Sequence, residues 1–436
     1  LRDKPDYTVR VQGKEVEVYS VPVNLEFLGH ANFATCDMAG TVTVEVTVNF
    51  LEAAKINGVS VHPVSRGIKA QREGARFTFQ VDRPGSLTLL VNGDHGLQPL
   101  HLFLCPPVEP PPPGAIVFGP GRHVVGGSDK PITLKSGQTL YLAPGAWVIG
   151  NVVAFGATNI CIMGRGVLTP MPWPFRPGNW VEGPQGIWVQ DCKDVRIEGI
   201  VLTRACQYWN MTLLRCDTVT LRDLHVLSPY GFSTDGCNPQ GTRNLIVDRC
   251  FFRCNDDNMS IAGGSEADVP LNDCPPTENI SVSNSVFWNG QGQALIIGLG
   301  RAKAYRNIKV QDCDVLMNST GRGTFGISTK VEDVLFENIR VEYARDCLFH
   351  IGNPVVNEWG GKDQASDPRF VRGITFRNIT VMGYKTRRNV IDCKAQDILI
   401  ENLRYGDELI LDAKAMGLQT NEWVRNLRII GPEGKK

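Results

Sequence analysis

Two apolar residues separated by a single residue recur ten times along residues 160–429 of this 436-residue chain. The first members of successive pairs are 35, 24, 26, 35, 28, 26, 40, 24 and 29 residues apart. A signal repeated at such intervals is typical of a solenoid, in which each coil buries its apolar face against its neighbours. The pairs are Ile160/Ile162, Val195/Ile197, Val219/Leu221, Leu245/Val247, Ile280/Val282, Ile308/Val310, Val334/Phe336, Ile374/Phe376, Ile398/Ile400 and Leu427/Ile429.

An Asn or Asp stands directly before eight of these pairs, and long helical periodicity is absent. Asn tolerates a left-handed backbone at a bend and can hydrogen-bond to the same residue of the next coil. The pattern therefore predicts a parallel β-helix with a polar ladder along one corner. The eight residues are Asn159, Asp194, Asn244, Asn279, Asn307, Asp333, Asp397 and Asn426.

The first hundred residues follow a different pattern, with short runs that alternate apolar and polar side chains. Examples are Val42-Val44-Val46-Val48 and Phe77-Phe79-Val81, and turn signals such as Asn57-Gly58 separate the runs. About eight such strands predict a β-sandwich. We therefore expect an all-β chain with a small β-sandwich at residues 1–105, a proline-rich linker at 106–114 and a β-helix catalytic domain at 115–436.

Charge and composition exclude several classes of protein. Forty-five basic and forty-five acidic residues cancel, so a nucleic-acid partner is not expected. No run of 18 apolar residues occurs, so we expect no membrane span. The thirteen cysteines form no CxxC pair, which disfavours a zinc site and favours free thiols stacked in the core, with disulfides left open. No phosphate-binding loop or metal motif is present, so no cofactor or metal is expected.

Two acidic clusters lie 21 residues apart, close to one coil of the predicted solenoid. They are Ser233-Thr234-Asp235-Gly236 and Asn255-Asp256-Asp257-Asn258. Stacking would hold three carboxylates close together, and like charges raise one another's pKa, which suits acid–base chemistry. The alternative is a structural ladder of Asp and Asn that caps the turns.

The stretch from Ser233 to Ile261, STDGCNPQGTRNLIVDRCFFRCNDDNMSI, resembles the active-site segment of polygalacturonase-like glycoside hydrolases, family 28. The related dextranase and isopullulanase family 49 is similar in the same three aspartates. The resemblance implies a right-handed parallel β-helix and hydrolysis that inverts the anomeric carbon. It implies Asp256 as the general acid, with Asp235 and Asp257 activating water. Because polymeric substrates lie outside cells, we expect a secreted or periplasmic protein, although this chain carries no signal peptide.

The chain departs from the family 28 pattern at two places. Family 28 has Gly-His-Gly on the next coil, where this chain has Gly292-Gln293-Ala294. It also has Arg-Ile-Lys one coil later, which binds a uronate carboxylate, and residues 321–328 contain no such triplet. We therefore expect a neutral glycan rather than a uronic one, and the preceding β-sandwich resembles family 49.

Further candidate contacts with substrate come from the coils around the aspartates. Tyr208, Trp209 and Asn210 precede Asp235 by one coil, and His350 and Trp359 follow Gln293. For each of them, ordinary packing is the alternative. The complete set of candidate substrate-binding residues is Gln293, Tyr208, Trp209, Asn210, Arg301, Arg322, His350 and Trp359.

Two other functions are compatible with the same scaffold. A polysaccharide lyase would use a basic residue, Arg301 or Lys330, with calcium held by the three aspartates beside a uronic glycan. A non-catalytic β-helix would bind glycans without cleaving them. The sugar, its linkage, endo or exo action and the oligomeric state do not follow from the sequence.

Overall fold

The computed structural model describes most of the chain, and its secondary structure consists almost entirely of strands. Two short 3₁₀ segments, Ala53–Lys55 and Val64–Arg66, are also present, and the described residues contain no α-helix. The described residues are 5–24, 29–96, 98–125, 130–170, 185–203, 208–228, 231, 233–263, 274–300, 302–328, 330–352 and 370–432.

The N-terminal region is a sandwich of two five-stranded sheets. One sheet has the order β2-β1-β5-β8-β7 and the other β3-β4-β10-β9-β6. Alternation builds its core: in β5 every valine is buried and the three residues between them are half-buried. The strands are β1 (Tyr7–Val11), β2 (Lys14–Val16), β3 (Tyr19–Asn24), β4 (Gly29–Asp37), β5 (Val42–Val48), β6 (Val59–His62), β7 (Gln71–Glu73), β8 (Arg76–Val81), β9 (Gly85–Val91) and β10 (Leu100–Cys105).

The rest of the chain is a right-handed parallel β-helix, as the repeat predicts. Most coils contribute two strands to a bent 21-stranded sheet and a third strand to an 11-stranded sheet. The strands are β11 (Ile116–Phe118), β12 (Gly121–Val124), β13 (Ile132–Thr133), β14 (Thr139–Leu142), β15 (Ala146–Ile149), β16 (Val152–Phe155), β17 (Thr158–Gly164), β18 (Val167–Thr169), β19 (Ile187–Gln190), β20 (Lys193–Glu198), β21 (Val201–Thr203), β22 (Met211–Leu214), β23 (Asp217–Arg222), β24 (His225–Ser228), β25 (Asn238–Gln240), β26 (Arg243–Asp248), β27 (Phe251–Cys254), β28 (Met259–Ala262), β29 (Thr277–Ser283), β30 (Val286–Asn289), β31 (Leu295–Leu299), β32 (Tyr305–Gln311), β33 (Asp314–Asn318), β34 (Phe325–Ile327), β35 (Val331–Ala344), β36 (Cys347–Ile351), β37 (Phe370–Tyr384), β38 (Arg388–Ile391), β39 (Lys394–Tyr405), β40 (Glu408–Ile410), β41 (Leu418–Thr420) and β42 (Val424–Ile430).

All ten apolar pairs lie in register on successive coils, from Ile160 opposite Val195 to Ile398 opposite Leu427. At the start of the stack, Leu140 faces Ile162 and Leu142 faces Gly164. Ile132 lies in β13 of the 11-stranded sheet, where it faces Val152. The repeat therefore predicts the coils correctly from residue 160 onward.

The predicted polar ladder is present. All eight Asn and Asp residues before the apolar pairs have positive φ, between 48° and 58°. The Asn279 amide group donates to Asn244 Oδ1 at 3.0 Å, and that of Asn307 donates to Asn279 Oδ1 at 2.7 Å. A second ladder on another corner joins Asn338, Asn378 and Asn402 at 3.0 and 2.9 Å.

The sandwich packs against the β-helix through a shared apolar cluster. Phe33 and Phe103 of the sandwich pack with Phe251 and Trp288 of the helix. The ring of Phe103 stacks on that of His225 with centroids 4.0 Å apart. The last sandwich strand ends at Cys105 and the first helix strand begins at Ile116. The predicted domain boundaries, at residue 105 for the sandwich and at residue 115 for the β-helix, stay a prediction.

The thiols and the apolar segments add two observations about the described residues. Most of the twelve cysteines among them are buried in the helix core. No helix within the described ranges has the length and hydropathy that crossing a membrane requires.

Candidate active site

The two acidic clusters lie in turns that join the second and third strands of adjacent coils. Asp235 follows β24 and precedes β25, and the Asp256-Asp257 doublet lies between β27 and β28. The turns stack directly, since the Gly236 N–H donates to Asp257 O at 2.9 Å and the Cys237 N–H donates to Asn258 O at 3.1 Å. The structure therefore brings all three aspartates to one edge of the 11-stranded sheet.

Neighbouring donors hold each carboxylate in place. Asp256 accepts two backbone N–H groups, from Ser233 to Oδ2 at 2.9 Å and from Asp257 to Oδ1 at 3.1 Å. Asp235 Oδ2 accepts the Asn238 amide group at 2.9 Å. These hydrogen bonds fix the orientation of both carboxylates relative to the stacked turns.

Burial and mutual repulsion perturb the other two carboxyl groups. The pKa of Asp235 is raised well above its usual value, mainly by burial and then by the charges of Asp256 and Asp257. Burial and the charge of Asp256 raise the pKa of Asp257 to about 8. The hydrogen bond from the Gln293 N–H and the charge of Arg322 act in the opposite direction. A site with such groups retains protons at neutral pH, as acid–base catalysis requires.

The next coil supports the doublet through a glycine-rich turn. The side chain of Asn289 donates to Asp256 O at 2.6 Å and to Gln293 O at 3.2 Å. A Cβ at Gly292 would lie 2.6 Å from Asp257 Oδ1, so only glycine lets this turn pass so close to the carboxylate. This approach allows the Gln293 N–H to donate to Asp257 Oδ1 at 2.6 Å.

Gln293 is buried, and its side chain bonds to the following coil. Its Nε2 donates to the carbonyl groups of Arg322 and Gly323 at 3.2 and 3.3 Å. The carboxamide lies over Gly326, where a Cβ would approach both Nε2 and Oε1 to 2.5 Å. In this structure Gln293 therefore positions Asp257, and its predicted contact with substrate remains a prediction.

Of the candidates on the preceding coil, Asn210 supports the turn that carries Asp235, and Tyr208 and Trp209 are partly exposed beside it. Asn210 is buried, and its amide group donates to Asp235 O at 2.9 Å and to Thr234 O at 3.3 Å. It therefore holds the turn that carries Asp235. Tyr208 and Trp209 are half-buried beside that turn, with ring centroids 5.3 Å apart.

The remaining candidates lie on later coils. Arg322 is exposed, and its charge reaches Asp257, where it lowers the pKa of the carboxyl group. His350 is buried and its Nε2 lies 3.2 Å from Asp392 Oδ2. Arg301 and Trp359 lie outside the described residues. The structure therefore places Arg322 near the aspartates and gives His350 an acidic partner.

A row of outward-facing side chains runs along the 11-stranded sheet beside the aspartates. Its members alternate with core residues such as Met211, Met259 and Leu295, and they face one another across successive coils. We call this set the outer row. It consists of Trp188, Thr212, Asn238, Ser260, Ile296, Gly326 and His350.

Sequence reasoning missed two residues of the site. Asn238 bonds Asp235, and Asn289 bonds the backbone of Asp256. Asn238 lies inside the motif segment, and strand alternation could have placed it outward, beside the acidic turn. Asn289 is 33 residues from Asp256, and nothing local in the sequence links the two. Within the described ranges, no group of three or more His, Cys, Asp and Glu side chains is arranged to hold a metal ion.

Comparisons with known proteins agree with this architecture. The profile of glycosyl hydrolases family 28 matches residues 177–407, more than half of the chain. Polygalacturonase QRT2 of Arabidopsis thaliana is 25% identical over 167 residues, which cover 36% of this chain and 35% of that protein. The chain thus matches about a third of the length of this relative.

Two solved structures share the fold over nearly the whole chain. Dex49A from Penicillium minioluteum has a TM-score of 0.65 at 11% identity and covers 98% of this chain and 94% of its own. The family 28 exopolygalacturonase of Yersinia enterocolitica has a TM-score of 0.56 at 13% identity, covering 89% and 97%. The fold is that of the parallel β-helix proteins. The chain belongs to family 28 of the glycosyl hydrolases.

Proposed function

We propose that this protein hydrolyses glycosidic bonds with inversion of the anomeric carbon, using Asp235, Asp256 and Asp257. The observation that carries the proposal is the convergence of three carboxyl groups in stacked, hydrogen-bonded turns, where burial and mutual repulsion raise the pKa of two of them. A purely structural ladder would consist of satisfied Asn and Asp side chains on the surface. Here burial raises the pKa of two carboxyl groups, which is typical of catalytic sites.

In the proposed mechanism, Asp256 gives its proton to the glycosidic oxygen as the bond from that oxygen to the anomeric carbon breaks. Asp235 and Asp257 orient a water molecule on the opposite face of the sugar and accept its proton as its oxygen bonds to the anomeric carbon. Gln293 and Asn238 hold these two carboxylates. The product then carries the opposite anomeric configuration.

One observation favours a second assignment of the acid. The pKa of Asp257 is raised to about 8, so this carboxyl group retains a proton at neutral pH and is able to donate it to the leaving oxygen. Family resemblance supports Asp256, and the leaving-group experiment described below separates the two assignments.

The proposed substrate is a neutral glycan acted on outside the cell or in the periplasm. The outer row carries hydroxyl, amide, aliphatic, indole and imidazole groups, and none of its seven residues is Lys or Arg. A uronate carboxylate is usually bound by a charge-assisted hydrogen bond from such a cation. Arg322, which is exposed near Asp257, is the candidate that argues for an acidic sugar.

The test begins with a panel of dextran, pullulan, galactan, xylan and polygalacturonate, with the anomer of the product followed by NMR. We expect cleavage of a neutral polymer with inversion. Variants Asp235→Asn, Asp256→Asn and Asp257→Asn should each lose about 10²–10⁴-fold in kcat on that polymer while remaining folded.

A nitrophenyl glycoside of the sugar so identified then locates the acid, because its leaving group needs no proton. The variant that lacks the acid should recover on this substrate, and the variants that lack the base should not. Near-normal turnover by Asp256→Asn on the polymer would remove that residue from the mechanism. An unsaturated product lost on chelation would indicate a lyase, and binding without cleavage would indicate a glycan-binding protein.

A further inference from the structure

Three neighbouring residues of the outer row carry buried polar atoms that meet no hydrogen-bonding group within the described ranges. They are Thr212 Oγ1, Asn238 Oδ1 and Ser260 Oγ, and each residue is at most 2% exposed. None of the three atoms has a partner within the part of the chain that the structure describes. Buried polar atoms are nearly always paired, so three adjacent exceptions need an explanation.

The three residues form a straight line across three coils. Thr212 faces Asn238 in the strand register. Asn238 and Ser260 lie between the paired residues Cys237 and Met259 on one side and Gln240 and Ala262 on the other. Coils are about 4.8 Å apart, so the three polar groups repeat at that interval on one face of the sheet.

Asn238 connects this line to the catalytic aspartates. Its Nδ2 donates to Asp235 Oδ2 at 2.9 Å, so its unpaired Oδ1 belongs to an amide group already fixed beside the carboxylate. At the far end, one coil beyond Thr212, the indole Nε1 of Trp188 also lacks a hydrogen-bond partner among the residues that the structure describes. On the other side the row becomes apolar at Ile296, and the Gln293 carboxamide covers Gly326.

We propose that Thr212, Asn238 and Ser260 form a subsite for the hydroxyl groups of a neutral sugar unit adjoining the bond that is cleaved. The inference rests on the proposed function and names the substrate chemistry of that site. The two hydroxyl groups donate to and accept from sugar hydroxyls, and the amide oxygen accepts from them, so none of these hydrogen bonds requires a charge. Because the row is polar from Trp188 to Ser260 and becomes apolar at Ile296, we place this sugar unit over the coils that carry Thr212, Asn238 and Ser260.

The proposed subsite predicts how substitution of its polar residues affects the stability of the ligand-free protein. Removing a buried polar atom that has no partner does not weaken the free protein, whereas removing a bonded one does. Thr212→Val and Ser260→Ala should therefore leave the Tm of the ligand-free protein unchanged or higher. The same variants should lose about 3- to 10-fold in kcat/KM for each hydroxyl group removed, chiefly through KM.

The chain supplies matched controls in its own core. Thr242 Oγ1 donates to Leu213 O at 2.7 Å and accepts the Cys216 N–H at 3.2 Å. Ser285 Oγ donates to Ser283 O at 2.7 Å and accepts the Cys250 N–H at 3.1 Å. Thr242→Val and Ser285→Ala should lower the Tm and leave KM unchanged, which reverses the expected result for the subsite.

The experiment measures the Tm and kinetics of the four variants, and thermal shifts in an Asp256→Asn background. Its probes are neutral gluco-, galacto-, manno- and xylo-trisaccharides together with trigalacturonate. We expect a neutral trisaccharide to raise the Tm of Asp256→Asn, and Thr212→Val or Ser260→Ala to reduce that shift.

Three outcomes would overturn the subsite. They are a lowered Tm with unchanged KM in Thr212→Val and Ser260→Ala, a preference for trigalacturonate, and the absence of binding by every probe. A trisaccharide that binds through the row but is never cleaved by the unmodified protein would contradict the hydrolase function alone. Cleavage that is unaffected by both substitutions would contradict the subsite alone.

Discussion

At the scale of single residues, ionisation of the buried aspartates in the candidate site opposes folding. Asp235 is buried, and the pKa of its carboxyl group is raised because burial and its acidic neighbours disfavour the ionised form. Burial and the charge of Asp256 likewise raise the pKa of Asp257. Elsewhere on the helix, carboxylates such as Asp191 are paired with arginine. Burial of the trio therefore lowers stability as its members ionise, which is the cost expected of the catalytic role proposed above.

Asp257→Asn should stabilise the protein increasingly as the pH rises. The pKa of Asp257 is raised to about 8 in the folded protein, so its stabilising contribution is complete below the ordinary value near 3.8 and is lost as the pH rises through 8. Asparagine never ionises and escapes this loss. The gain in unfolding free energy at pH 8 relative to pH 4 should reach at least about 1.4 kcal/mol, the equivalent of one pKa unit.

Denaturant unfolding at both pH values measures this difference. Asp191→Asn is the control, because Arg215 lowers the pKa of Asp191 and the substitution removes a favourable pair. That variant should show no gain at pH 8. Equal stability of Asp257→Asn and the unmodified protein at both pH values would refute the raised pKa.

At the scale of the coil, left-handed corners and their side-chain ladders keep the strands in register. Asn279 has φ 57° and bonds Asn244 on one side and Asn307 on the other. The backbone conformation and the ladder are separable, because glycine accepts the first without providing the second.

Asn279→Ala should therefore destabilise the protein more than Asn279→Gly. Alanine loses both ladder bonds and adds left-handed strain of about 1–2 kcal/mol, whereas glycine loses the bonds alone. Thermal or denaturant unfolding of the pair measures the difference directly. If the two variants are equally stable, the left-handed corner imposes no requirement on the side chain.

Coils of this kind are predictable from sequence because both of their signals are local and repeated. The ten apolar pairs and the eight Asn or Asp residues indicated the coil register, and the acidic motif indicated which turns stack. The contacts of Asn289 with Asp256 and of Gln293 with Arg322 were not predictable, since they join turns about one coil apart whose lengths vary.

At the scale of the whole molecule, buried imidazole groups join the sandwich to the helix. Arg253 Nη1 donates to His101 Nε2 at 2.9 Å, so His101 Nδ1 carries the proton and donates to Thr88 Oγ1 at 2.8 Å. Burial lowers the pKa of His101 well below its usual value, and the charge of Arg253 lowers it further. The docked interface therefore requires neutral histidines.

Acid should consequently loosen the interface, in the opposite direction to the effect of the aspartates. Burial lowers the pKa of His225 to about 3, so its contribution is complete above the unfolded value near 6.5 and is lost as the pH falls from 6.5 towards 3. His225→Leu removes this group, whose Nδ1 has no hydrogen-bond partner among the described residues.

In the variant, the fall in unfolding free energy between pH 6 and pH 4 should be shallower by about 1.4 kcal/mol per pH unit. Unfolding of the variant and of the unmodified protein across that range measures the two slopes. An unaltered slope in His225→Leu would show that the interface tolerates a charged imidazole, and the acid sensitivity would then have to lie elsewhere.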